Sequence, residues 1–269
     1  MSTAFSCAAP APIEAPGSDP TADDDRLRRL AALRAELDRV DDGLHDLLMH
    51  RAELVTQVGA LGAKGRVPLR PGREASILRR LLGRNQGALA PATLVRVWRE
   101  LLAGSSAQQN PMAIVIGDAG LEAVVREHFG ALSRPETTGA GEAIERVRRG
   151  DAALAVLRLP SSERSGADRW WADLNGDVHI VARLPYWARP GAVEALVLSA
   201  AAPDISGQDR TVIAGVEPRA LSAAGLAGAG LLADGMAEVD GFVTQDDPRL
   251  QGLTALVLGA YAVPVGDFT

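Results

Sequence analysis

Lysine and cysteine are nearly missing from this chain. Of its 28 basic residues only Lys64 is a lysine, and Cys7 is the single cysteine. One thiol cannot close a disulfide within the chain, so a disulfide scaffold is excluded and a reducing, cytoplasmic setting is expected. No cluster of histidine, cysteine and carboxylate has metal-ligand spacing, so neither a metal nor a cofactor is expected. No window is apolar enough to span a bilayer. The opening "MSTAFSCAAPAPIEAPGSDP" lacks the basic start and apolar run of a secretory signal, and residues 1–22 read instead as a disordered leader. A formal net charge of −6 argues against nucleic acid as a partner.

What is present divides the 269 residues into two patterns. Residues 23–110 are helical throughout. "TADDD" supplies a cap and an acidic first turn. Leu30, Leu33, Leu37, Val40, Leu44, Leu47, Leu54 and Val58 then recur at steps of three and four, the mark of one apolar helix face. "GALGAKGRVPLRPG" ends that helix with its glycines and prolines. A second helix starts near Arg73, with Ile77, Leu78, Leu81 and Leu82 on one side. A third opens at Pro91, with Leu94, Val97, Trp98 and Leu101 as its expected inner stripe. Three helices with so continuous a seam do not close a core alone, and pairing with a second copy as an intertwined homodimer is expected.

The seam has one beat out of place. Position 51, between Leu47 and Leu54, is Arg51, and a guanidinium on a buried face needs an anion. A carboxylate across the helix interface would satisfy it, and so would a ligand. Arg34 flanks the same seam 17 residues earlier, about 25 Å along a helix. If both arginines serve one small ligand, they come from antiparallel helices of different subunits. Arg73 and Glu74 stand at the start of the second helix, where backbone N–H groups favour anions. Ser105 and Gln109, four apart on the third helix, add uncharged hydrogen-bonding groups. This set is poor at nucleophilic attack and good at clamping a small polyanion.

The segments "LRAELDRVDDGLHDLLMHRAELVTQVG", "PLRPGREASILRRL" and "LVRVWRELLAGSSAQQ" together resemble the all-helical class of chorismate mutase. The resemblance implies rearrangement of chorismate to prephenate by a concerted [3,3]-sigmatropic shift in aromatic amino-acid biosynthesis. Catalysis would then lie in holding the reactive conformer and stabilising charge on the breaking ether oxygen. It implies that Arg51 and, from the other subunit, Arg34 grip the two carboxylates, with Arg73 beside them. Glu74 would accept the ring hydroxyl, Ser105 contact a carboxylate, and Gln109 donate to the ether oxygen. Taken singly, Glu74 also fits a helix cap, Ser105 an interface hydroxyl and Arg34 a solvated residue. Two positions depart from the pattern. The family's lysine falls on Gly62, leaving Lys64, two residues on, to reach back from the following loop, and the family's aspartate falls on Arg70. An isochorismate-pyruvate lyase, built on a similar clamp, and a non-catalytic sensor of aromatic metabolites are the alternative readings.

After Asn110 the pattern becomes α/β. "MAIVIGDAG", "AALAVLRL", "VHIVARLP" and "VEALVLSAA" read as strands, with "LEAVVREHFG" and "GEAIERVRRGD" as helices. Residues 111–269 are thus expected to be an α/β binding or regulatory region. They resemble part of the prephenate dehydratase fold, and the close, "ALVLGAYAVPV", resembles the end of an ACT domain. That likeness places an internal boundary near 202–209 and implies an aromatic amino-acid effector. Trp170 and Trp171 fit a paired core contact better than the floor of a ligand pocket.

Overall fold

The computed structural model describes residues 20–61, 69–109, 112–160, 169–233 and 235–266. Residues 1–19 of the expected leader and Lys64 lie outside the described residues. The chain forms two compact units, one up to Val55 and one from Thr56 onward, with the boundary inside the first helix.

Three helices come first: α1 (Pro20–Leu61), α2 (Pro71–Arg84) and α3 (Pro91–Gln109). Helix α1 therefore starts three residues before Asp23, at a proline whose fixed φ suits a first helical turn. Its stripe faces outward: Leu33, Leu37, Leu44 and Leu47 are between 53% and 67% exposed. Arg51 is half-buried and has an interaction partner.

The α/β part contains β1 (Ile114–Ile116), α4 (Glu122–Phe129), β2 (Glu136–Thr137), α5 (Ala140–Arg149), β3 (Leu154–Arg158), β4 (His179–Leu184), β5 (Trp187–Ala188) and β6 (Ala195–Ser199). It continues with β7 (Asp209–Ala214), α6 (Pro218–Ala223), β8 (Gly230–Ala233), β9 (Met236–Asp240), β10 (Leu256–Ala262) and β11 (Val265–Gly266). Nine strands join in the order β2-β1-β3-β6-β4-β10-β7-β9-β8, and β11 pairs separately with β5. Residues 202–209 do not interrupt that sheet, because β10 returns to lie parallel to β4. The two approach so closely at Gly259 (φ +142°) that a Cβ there would stand 2.1 Å from the Ile180 carbonyl oxygen.

Both faces of the sheet's first half are covered, which explains its near-continuous apolar strands. Side chains alternate between two cores. Val115, Ala155, Leu157, Leu196 and Leu198 pack with α5 and with Trp170 and Trp171. Ile114, Ile116, Leu154, Val156 and Val197 pack with Val124, Val125 and Phe129 of α4. Trp170 and Trp171 meet edge to face with centroids 6.0 Å apart, a core contact as expected.

Helices α2 and α3 belong to this second unit. Ala75, Leu78, Val95 and Leu102 form one cluster with Tyr186 and Ala262. This corrects the expected inner stripe of α3. Leu94 is buried, but its companions are Val95, Arg99, Leu102 and Ser106, while Val97 is 49% exposed. The sequence stripe marks the face with most apolar residues, whereas the α/β part packs on the face that carries Arg99.

Candidate functional site

The structure divides the expected site residues between the two units. Arg34 (exposed) and Arg51 lie on α1 before Val55. Arg73, Glu74, Ser105 and Gln109 lie on α2 and α3 in the second unit.

The start of α2 is not open to an anion. Asp204, some 130 residues along the chain, accepts hydrogen bonds from the backbone N–H groups of Gly72 (2.9 Å) and Arg73 (3.1 Å). A distant carboxylate thus caps the helix, and the backbone anion site expected there is filled. Gly72 is required at the contact, since a Cβ would meet the Asp204 carbonyl oxygen at 2.3 Å. The Arg73 side chain is left to do any ligand binding, and its residue is exposed.

Glu74 points into the protein. Its residue is 8% exposed, and its Oε2 accepts a 2.7 Å hydrogen bond from Arg99 Nη1. Arg99 is held from other sides as well. Its guanidinium lies 4.7 Å from the Tyr186 ring centroid, and His128 Nε2 stands 3.4 Å from Nη1. Tyr186 in turn donates its hydroxyl hydrogen to the Ala75 carbonyl at 3.3 Å. Burial raises the Glu74 carboxyl above the usual range, against the opposing pull of Arg99. Burial, and then the Arg99 charge, hold His128 well below the ordinary histidine value. The imidazole is therefore neutral beside the cation.

At the far end of α3, Ser105 donates to the Leu101 carbonyl oxygen at 2.6 Å, a local bond of the i−4 kind. Gln109 packs beside the end of α1, where its Cγ would lie 3.4 Å from a Cβ placed on Gly59. Gln108 Nε2 donates to Thr56 Oγ1 at 2.8 Å and ties the same two helix ends together. Glu74 and Gln109 thus belong to separate local settings, one interior and ion-paired, the other exposed near the α1 terminus. Among the described residues no group of histidine, cysteine and carboxylate side chains could hold a metal ion.

Residues 33–110 match the family model Chorismate mutase type II. The match runs from the middle of α1 through α2 and α3, so the helical segment is similar to that family from Leu33 onward. Among curated relatives, a bifunctional chorismate mutase/prephenate dehydratase of Pseudomonas aeruginosa is 32% identical over 146 residues, 50% of this chain and 38% of its own length. Another of the same description, from Stutzerimonas stutzeri, is 30% identical over 118 residues, 40% of this chain and 32% of its own. The chain therefore spans about a third of the length of the curated relatives it matches. Among solved structures, a prephenate dehydratase from Arthrobacter aurescens in complex with L-Phe is 17% identical at a TM-score of 0.39, covering 56% of this chain and 89% of that one. A prephenate dehydratase from Streptococcus mutans is 18% identical at a TM-score of 0.37, covering 57% and 99%.

Reading the sequence for a ligand clamp missed Arg99, His128 and Tyr186. The signal for Arg99 was of the kind that singled out Arg51: a guanidinium flanked at i−4 and i+3 by the apolar Val95 and Leu102. Nothing in the sequence shows that Glu74 is its anion, because the two stand 25 positions apart on different helices.

Proposed function

We propose that this chain is a chorismate mutase, converting chorismate to prephenate at a site built from its helical segment. The match of residues 33–110 to the chorismate mutase type II family carries the reading. The residue chemistry supports it, since a unimolecular rearrangement needs cations and hydrogen-bond donors rather than a nucleophile or a metal. In this reading Arg34, Arg51 and Arg73 grip the carboxylates of chorismate, with Ser105 as a further contact. Glu74 accepts the ring hydroxyl, while Lys64 and Gln109 stabilise charge on the ether oxygen.

A homodimer belongs to the same proposal. The outward apolar stripe of α1 supports it, together with the separation of Arg34 and Arg51, which lets one small ligand reach both only from two subunits. An aromatic amino acid is the proposed effector of residues 111–269, on the resemblance of residues 255–265 to the close of an ACT domain. A cytoplasmic location is proposed from the lone cysteine. Among the described residues, no helix is long and apolar enough to cross a membrane.

The test is loss of chorismate absorbance on adding purified protein, with product identification. Prephenate as product is the expected result. Pyruvate release from isochorismate would replace the mutase with a lyase, and binding of chorismate without turnover would replace it with a sensor.

A further inference from the structure

Glu74 is anchored on one oxygen only. Oε2 takes the hydrogen bond from Arg99, and no hydrogen bond to Oε1 is formed among the described residues. The buried side-chain polar atoms without a partner, among those residues, are the Nε atoms of Arg79, Arg99 and Arg183. Oε1 is not among them, so it meets solvent, in keeping with an 11% exposed side chain. The carboxylate thus has a fixed inner oxygen and a presented outer one.

Arg99 is itself fixed by the α/β part. Tyr186 follows β4 and lies under the guanidinium, while His128 sits in the last turn of α4 and faces Nη1. Neither residue falls within the matched segment 33–110.

We infer that Arg99 is a positioning residue that holds Glu74 with Oε1 outward to accept the substrate hydroxyl, and that the α/β region supports it through Tyr186 and His128. This rests on the reading of Glu74 as the substrate acid. Three physical consequences follow. The cation favours the ionised form of the carboxylate against the upward pull of burial, and an ionised carboxylate accepts freely on both oxygens. The anchored Oε2 removes rotation of the carboxyl group, so Oε1 is aimed before substrate arrives. The C-terminal region then contributes to the helical site without itself touching the ligand. The other groups facing Glu74 are Asp204, whose negative charge works against ionisation, and the neutral His128 behind Arg99.

The experiment uses the full chain with 13C-labelled glutamate carboxyls, the Glu74 signal being assigned by its loss in Glu74→Gln. Carboxyl titration and the pH profile of kcat/KM for chorismate are compared in the parent protein, Arg99→Met and Arg99→Lys. In Arg99→Met the Glu74 titration and the acidic limb of the profile should both move up by about 1–3 pH units. Arg99→Lys should return both towards the parent while leaving KM raised, since an ammonium cannot reproduce the planar guanidinium stacked on Tyr186. If Arg99→Met does not fold, Tyr186→Leu takes its place, and the same two quantities should move in the same direction by less. A Glu74 titration unchanged in a folded variant overturns the inference. So does a titration that moves while the acidic limb stays put. Should the parent protein fail to turn over chorismate, the mutase reading fails first, and the titration still reports whether Arg99 holds Glu74.

Discussion

Leu44 in α1 is 53% exposed, whereas Leu198 in β6 is wholly buried. The two leucines sit in segments whose apolar patterns were equally plain in the sequence. Strand β6 lies between β3 and β4, with one face turned to α5 and the tryptophan pair and the other to α4, so both sides of its alternation are answered within the chain. The α1 stripe, from Leu30 to Leu47, is left open over its length. Apolar area exposed on that scale supports the proposed homodimer interface. The sheet is complete in one copy, and the long helix is complete in the proposed dimer.

The severest test of that contrast is to charge the stripe. Leu37→Asp combined with Leu44→Asp should abolish association and activity together, while circular dichroism of the sheet persists. Analytical ultracentrifugation decides it, and a double variant that still sediments as a dimer would remove α1 from the interface. Mixing Arg34→Ala with Arg51→Ala sharpens the same comparison, because a shared site should regain activity in mixed dimers with one intact pocket. No recovery, with heterodimers demonstrated, would put both arginines to other uses.

Lys64→Ala comes next in size. Removing one pre-organised donor to developing charge costs about 10²–10³ in rate, and the loss should fall on kcat more than on KM. Fold and dimer should survive. A kcat close to that of the parent would leave Gln109 and the arginines to carry the transition state alone.

In the sheet, Leu198→Ala should destabilise the chain by about 2–5 kcal/mol, the usual cost of truncating a fully packed leucine. Leu44→Ala should cost far less when chemical denaturation is followed at concentrations low enough for monomers. Equal effects would mean that α1 is packed in the monomer after all.

The smallest effect is on acid stability. His128 is neutral in the folded chain, whereas it titrates at about 6.5 when unfolded. The unfolded state binds the extra proton first, so stability is lost as pH falls below about 6.5 towards the depressed folded value. Thermal melts at about pH 7.5 and about pH 5.5 should therefore show a larger acid loss in the parent than in His128→Gln. Glu74, whose raised carboxyl works in the opposite sense, is common to both proteins and cancels in the difference. Parallel pH curves would show that the imidazole is not excluded from protonation.

The three helix spans were legible to within a few residues, because a period near 3.6 and signals such as Pro71 and Pro91 act locally. The strands 114–116, 154–158, 179–184 and 195–199 were legible too, since a short apolar run bounded by polar or turn residues has few other uses. The expectation that the helical segment binds an anion came from Arg34, Arg51, Arg73 and Gln109, because charge and spacing belong to the chain itself. Tertiary structure alone decided that the α2 amides are taken by Asp204, that the buried face of α3 is the one bearing Arg99, and that Glu74 is held by a guanidinium stacked on Tyr186. Those are contacts across 25 to about 130 residues, and the pairing of charges at such separations depends on which surfaces the fold brings together, which no local pattern encodes.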